Sequence, residues 1–332
     1  MSINIALIGC GSIGTRHLKN IIQLVPDVVK VYVYDKSPER LAAAQSISTK
    51  VTACPTRLEI LEKPVDLAFI CTPSHLHFDD SMDFIKKRIP VFIEKPACLN
   101  SRDCMTMLET ARAPVIVGCN MRYHPAVKEA RHLVLSEKLG EVISARAFFG
   151  HSLKNWRPGT NYKQCYSAKA LEGGGALWDG IHELDYIMWL FGDVDSVHAF
   201  YSAGGILGIA AEEIGELILR HKNNIISNIH LDYIQPVKRR GLEIVGSKAT
   251  FLWTSIGKNP EHLKIEIFSN SVHPDIICDS HYDINKAYIN ELLDILKLLH
   301  GAPLDHTDLL DISMACREVQ IIELLKRDNY NE

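Results

Sequence analysis

Through the first third of the chain, short apolar runs alternate with stretches of helical period. Residues 3–8, 29–34, 65–71, 90–93 and 114–118 are runs of Val, Ile, Leu, Phe and Tyr that read as buried strands. Between them, 15–24, 40–46, 75–87 and 101–112 carry apolar residues at helical spacing. Ser37, Pro38 and Glu39 supply a cap, a first-turn proline and a first-turn acid to the helix over 40–46. Strand–helix alternation at this interval predicts a parallel sheet with right-handed crossovers.

After about residue 120 the rhythm changes. A helix over 125–139 and a strand over 142–149 precede a long polar loop, 151–171, and a helix over 175–190. Strands then follow one another without helices, at 197–201, 213–219, 225–233, 241–245, 249–253 and 263–268, the pattern of an antiparallel sheet. Amphipathic helices over 285–299 and 309–326 close the chain. The expected fold is an α/β parallel-sheet domain over 1–118 followed by a larger α+β domain over 119–332. The 332-residue length agrees, since one hydrophobic core rarely grows past ~250–300 residues.

Charge narrows the function. Lys plus Arg number 36 and Asp plus Glu 40, a net −4, which argues against a nucleic-acid or membrane-surface binder. The basic triplet Lys238-Arg239-Arg240 reads as a solvated turn before a strand. Nine cysteines are scattered with no Cys-x-x-Cys pair, as expected of reduced, mostly buried thiols in a cytoplasmic chain. No apolar run approaches the ~18 residues a membrane span needs, and no signal-peptide pattern opens the chain.

Gly9-Cys10-Gly11-Ser12-Ile13-Gly14 fits G-x-G-x-x-G between a strand and a helix. Glycines there permit a tight turn, backbone approach to a pyrophosphate and close helix–strand packing, with phosphates on amides at the helix start. Asp35 ends the next strand, where an acid binds ribose hydroxyls. It favours NAD, while neighbouring Lys36 and Arg40 leave NADP open. The competing reading is a glycine-rich turn of some other α/β protein.

Glu-Lys-Pro occurs twice, at 62–64 and 94–96. Only the second follows a strand, the side on which open α/β sheets bind ligands, so Lys95 is the functional candidate and Lys63 a surface residue. Thr72, Pro73 and His77 follow another strand on that side, and His77 reads equally well as a first-turn helix residue. A zinc site at His75 and His77 lacks a third ligand at suitable spacing, so no metal is expected. Asn120 and Arg122 lie just past the strand at 114–118.

In the second domain, Gly173, Gly174 and Gly175 open a helix and suggest close approach of a ligand to the backbone. Asp179 and His182, three apart, share its face, an arrangement suited to general base work or to bridging helices. The loop residues Trp156, Arg157 and Tyr162 suit a polar, ring-shaped ligand, or else a packed surface loop.

Taken in order, these motifs, with Gly-Cys-Asn-Met-Arg-Tyr at 118–123, resemble the glucose–fructose oxidoreductase and inositol dehydrogenase (Gfo/Idh/MocA) family over essentially the whole chain. The resemblance implies a Rossmann domain and a second domain with a large open, mostly antiparallel sheet used in homodimers or homotetramers. It implies hydride transfer between the nicotinamide of NAD or NADP and a carbinol carbon of a sugar, sugar derivative or cyclitol. Cofactor contacts would come from Gly9, Gly11, Ser12, Ile13, Gly14, Asp35, Thr72, Pro73, His77, Glu94 and Asn120. Lys95, Asp179 and His182 match the catalytic positions. These three, with Arg122, Trp156, Arg157 and Tyr162, would contact substrate. Many members place three residues between the acid and the histidine, whereas only Gly180 and Ile181 intervene here, so His182 and Glu183 compete as base. Residues 155–160 resemble members of bacterial surface-sugar pathways, which points to an amino, sialic-acid-like or nucleotide sugar. The rival readings are a non-catalytic dinucleotide-binding sensor and an enzyme using transient oxidation for epimerisation or glycoside cleavage. Lys95, Asp179 and His182 weigh against the sensor.

Overall fold

The computed structural model describes residues 2–156, 159–203, 205–258, 261–303 and 308–328. Two compact units divide the chain, Met1–Cys119 with Tyr288–Gln320, and Asn120–Ala287 with Ile321–Glu332.

The first unit is built on β1 (Ile3–Ile8), β2 (Val28–Tyr34), β3 (Val51–Ala53), β4 (Leu67–Ile70), β5 (Val91–Glu94) and β6 (Val115–Gly118). These strands run parallel in the order β3-β2-β1-β4-β5-β6. Every residue of β4, β5 and β6 is buried, as a sheet covered by helices on both faces requires. The helix Pro38–Gln45 is capped as its sequence predicts, Ser37 Oγ accepting from Arg40 N. Strand β3 and the helix Arg57–Leu61 were too short for a periodic signal.

Residues 288–320, expected with the second domain, pack in this first unit. Leu310–Asp311 adds a two-residue antiparallel strand beside β6, and Glu291 accepts a hydrogen bond from Cys119 N at 2.7 Å. A strand of two residues leaves no readable pattern, so the return of the chain was hidden.

The second unit carries β7 (Val142–Gly150), β8 (Val194–Ala203), β9 (Glu212–His221), β10 (Ile226–Asp232), β11 (Arg239–Gly246), β12 (Thr250–Ile256), β13 (Glu261–Phe268) and β14 (Asp275–Tyr282). They form one sheet in the order β14-β13-β12-β11-β7-β10-β9-β8, antiparallel except for the parallel pair β7–β10. Leu217, Leu219, Ile229, Leu231, Leu242, Ile244, Phe251 and Trp253 bury one face. Edge strand β14 escaped the sequence reading because seven of its eight residues are exposed, leaving no buried alternation.

The basic triplet is not a solvated turn. Arg240 lies in β11, buried, with Nε 2.7 Å from Glu183 Oε1, and Lys238 is ion-paired with Glu261. Cationic side chains read as surface because the acids that neutralise them are far away in sequence. All nine cysteines are free, seven of them buried.

Candidate active site

In the first unit, β1 delivers its chain into the glycine loop at the carboxyl end of the sheet. Gly9 takes φ +95°, and a Cβ there would lie 2.6 Å from Cys71 O, so the loop after β1 presses directly on the chain leaving β4. A Cβ at Gly14 would fall 1.9 Å from Gly9 O, which is the close helix–strand packing the motif requires. A Cβ at Gly11 would meet nothing within 4 Å. The loop is thus crowded at two glycines by the protein itself and left open at the third, where the helix Ser12–Leu24 begins. Asp35, just past β2, accepts from Cys10 N at 2.7 Å and Ser37 N at 2.8 Å, one bond on each oxygen. Each carboxylate oxygen keeps further acceptor capacity. The open glycine, the amides at the helix start and the acid braced against the loop fit a dinucleotide.

Beyond β4, Thr72 Oγ1 donates to Asp80 at 2.7 Å, and Asp80 is held in turn by Arg57 at 2.7 Å. Pro73 precedes the short turn of helix Ser74–Leu76. His77 is buried with Nδ1 2.8 Å from Pro96 O and Nε2 2.8 Å from Thr72 O, and burial pushes its pKa down. Main-chain carbonyls occupy both ring nitrogens, so His77 braces the loop and opens the helix His77–Lys86 rather than facing a ligand. Glu94 ends β5 and Lys95 follows it, half-buried. Lys63, from the other Glu-Lys-Pro, pairs with Glu59 at 3.3 Å near the surface.

In the second unit, the expected continuous helix is broken at Gly180 into Ala176–Asp179 and Ile181–Phe191. The glycines before it serve the protein's own packing: a Cβ at Gly174 would lie 2.3 Å from Tyr166 O, and one at Gly175 2.2 Å from the Glu212 carboxylate. Asp179 accepts from Tyr233 Oη at 2.6 Å and from Tyr166 Oη at 2.8 Å. His182 is buried in the first turn of the second segment. Glu183 beside it is fully buried against Arg240, with Tyr186 Oη at 3.5 Å. A carboxylate neutralised by a buried guanidinium is a poor proton acceptor, which leaves His182 as the base candidate.

The loop residues separate. Trp156 packs against Tyr233 at 5.3 Å and His151 at 5.8 Å between ring centroids, beside the Asp179 cluster. Tyr162 Oη donates to Leu207 O at 3.1 Å, and Arg157 lies outside the described residues. Arg122, expected on substrate, is instead buried and bonded to Asp185 by Nε at 3.0 Å to both oxygens and Nη2 at 2.6 Å. Asn120 is buried at the start of the short helix Asn120–Tyr123.

Residues 3–120 match the model of an oxidoreductase family with an NAD-binding Rossmann fold, and residues 127–252 match the Gfo/Idh/MocA C-terminal domain. The chain belongs to the Gfo/Idh/MocA oxidoreductase family. The family match identifies the first unit as an NAD-binding Rossmann fold, in agreement with its open glycine loop. Inositol 2-dehydrogenase of Gluconacetobacter diazotrophicus is 27% identical over 197 residues, 57% of this chain and 55% of that protein. The 2,7-anhydro-N-acetylneuraminate hydratase of Escherichia coli K12 is 25% identical over 195 residues, 58% of this chain and 50% of that protein. The chain therefore spans about half the length of these curated relatives. Among solved structures, the WlbA dehydrogenase of Bordetella pertussis in complex with NADH and UDP-GlcNAcA superposes with a TM-score of 0.83 at 20% identity, covering 99% of this chain and 96% of that one. At that identity the likeness establishes the Gfo/Idh/MocA fold.

Two kinds of residue in this Gfo/Idh/MocA chain escaped the sequence reading. Tyr166 and Tyr233 hold Asp179, yet Tyr233 ends an apolar strand and reads as core. His17, three residues after Gly14, reads as a helix residue, and the signal that could have found it is a polar side chain, one of two with Asn20, on the buried helix face that also carries Leu18 and Ile21.

Proposed function

We propose that the chain is an NAD-dependent dehydrogenase acting on a carbinol carbon of a sugar, sugar derivative or cyclitol. The observation that carries this reading is Lys95, a primary amine directly after β5, at the carboxyl end of the sheet that bears the open glycine loop. When bound, NAD supplies the hydride acceptor. His182 takes the hydroxyl proton, Asp179, held by its two tyrosines, supplies a fixed negative charge, and Lys95 stabilises negative charge developing on the carbinol oxygen. The same side chains serve the reverse reaction. Trp156, packed on Tyr233, supplies an apolar wall for a sugar ring. The amides of Ser12 and Ile13 and the carboxylate of Asp35 hold the cofactor, with Thr72, Pro73, Glu94 and Asn120 in support.

The substrate class rests on the relatives, whose names cover a cyclitol dehydrogenase and a dehydrogenase bound to a nucleotide sugar. The chain acts in the cytoplasm, a placement supported by nine free cysteines and by the absence, among the described residues, of any helix long and apolar enough to cross a membrane. It works as a homodimer or homotetramer, for which the support is Phe200, Ile218 and Ile226, exposed on adjacent strands of the open sheet face.

The deciding experiment is a panel of cyclitols, sugars, amino sugars and nucleotide sugars incubated with enzyme and NAD, followed at 340 nm and by product analysis. NADH formation with one substrate class, reduced ~100–1000-fold by Lys95→Met with NAD affinity retained, is the expected result. The hydratase among the relatives favours a second reading, transient oxidation. That reading predicts an altered sugar without net NADH.

A further inference from the structure

His17 is buried in the helix that follows the glycine loop, at 1% exposure. Its ring is enclosed by Phe69, Phe92 and Tyr288, at 5.5, 5.2 and 5.8 Å between centroids. This aromatic cage leaves the imidazole one polar direction that matters: Nε2 lies 2.7 Å from Glu94 Oε1. The other Glu94 oxygen accepts from the main-chain N–H of Lys95 at 3.3 Å. A Cβ at Gly118 would stand 2.7 Å from Phe92 and 3.4 Å from the Glu94 carboxylate, so β6 leaves this space to the two side chains. Glu94 is thereby pinned at both oxygens, and the backbone that presents Lys95 is pinned through it.

We propose that His17 is a positioning residue for Lys95, acting through the Glu94 carboxylate and tying the helix of the glycine loop to the lysine. The aromatic cage fixes the imidazole, the imidazole fixes one carboxylate oxygen, and the second oxygen holds the Lys95 amide. A hydrogen bond to a buried carboxylate is among the stronger ones in a protein and favours one backbone geometry over its alternatives. The assignment deepens the dehydrogenase reading, since Lys95 matters to catalysis only if that reading holds, but the physical linkage is testable without it.

The test compares His17→Leu, which removes the bond, with His17→Gln, whose side-chain amide reaches the place of Nε2 and restores it. All lysines are labelled by reductive methylation with 13C-formaldehyde, and the Lys95 signal is assigned from its loss in Lys95→Arg. The expected result is a shifted or broadened Lys95 signal in the leucine variant and a near-wild-type signal in the glutamine variant, with NAD affinity in both within about threefold of wild type. If the chain oxidises a substrate of the panel, kcat falls at least tenfold in His17→Leu with KM little changed, and the glutamine variant recovers most of it. An unmoved Lys95 signal in folded His17→Leu overturns the proposal. A moved signal in a protein that oxidises none of the panel supports the linkage while counting against the dehydrogenase reading. Should His17→Leu not fold, Glu94→Gln replaces the charged acceptor at nearly equal volume, and the same Lys95 signal decides.

Discussion

Tyr233 donates its phenolic proton to Asp179 Oδ2 at 2.6 Å, and Tyr166 donates to Oδ1 at 2.8 Å. The carboxylate is therefore oriented from two separate chain segments, the end of β10 and the loop before the glycines. Burial and the neighbouring Asp179 charge push the Tyr233 pKa well up, so its proton stays on the phenol and the donor is permanent. Tyr233→Phe keeps the ring beside Trp156 and removes only the hydroxyl. The expected outcome is a kcat lower by about tenfold and a stability loss of about 1–3 kcal/mol, read from initial rates and denaturant melts. In an Asp179→Asn background the same change should cost much less, because the charged acceptor is already gone, and an undiminished cost would break the linkage.

The glycine loop separates folding from cofactor binding. Gly11→Ala adds a methyl where nothing stands within 4 Å, on extended backbone at φ −69° that alanine adopts freely. Its melting temperature should stay within a degree or two of wild type while NAD affinity, measured by calorimetry, falls at least tenfold. Gly14→Ala drives a Cβ toward Gly9 O, a backbone atom that cannot step aside. It should destabilise the fold by about 1–3 kcal/mol with or without NAD. Equal melts for the two variants would contradict this division.

Arg122 and Asp185 form a buried, bidentate pair, the guanidinium lying 5.3 Å from the Trp189 ring centroid. Removing either charge leaves the other buried without its partner, so Arg122→Met or Asp185→Leu alone should cost about 3–5 kcal/mol by urea unfolding. The double replacement should recover most of that loss. A substrate-gripping arginine would behave differently, raising KM with stability intact.

What the sequence revealed follows from the range of each interaction. Strands β1, β2, β4, β5 and β6 and the glycine loop were legible because apolar runs and a six-residue motif are local patterns. The Pro38–Gln45 helix was legible from its cap for the same reason. Arg122, Lys238 and Arg240 were misread because a cation's identity as core or surface depends on its acid, and Asp185, Glu261 and Glu183 stand 63, 23 and 57 positions away. The helix break at Gly180 was hidden because a Cβ there would strike Leu231 of β10, a neighbour only the folded sheet supplies. The candidate site divides in the same way: Lys95 and Asp35 are marked by strand ends, whereas the tyrosines on Asp179 and the cage around His17 exist only in three dimensions.

A pH dependence follows from His230, whose Nδ1 lies 2.5 Å from Glu216 Oε1 and whose Nε2 lies 3.1 Å from Asp232 Oδ2. The hydrogen bond to Asp232, and after it the Glu216 carboxylate, raises its pKa to about 9 against the opposing effect of partial burial. The folded state therefore holds a proton that the unfolded chain releases near its ordinary value of ~6.5. The contribution to stability is fully present below that value and is lost as pH rises through about 9. Asp232 also accepts from Ile234 N and Gln235 N, both at 2.7 Å, so the imidazolium steadies the turn that presents Tyr233 to Asp179. His230→Gln should unfold more readily than wild type at pH 6, and the two urea midpoints should converge between pH 7 and 10. Midpoints that keep a constant separation over that range would show that the proton on His230 contributes nothing.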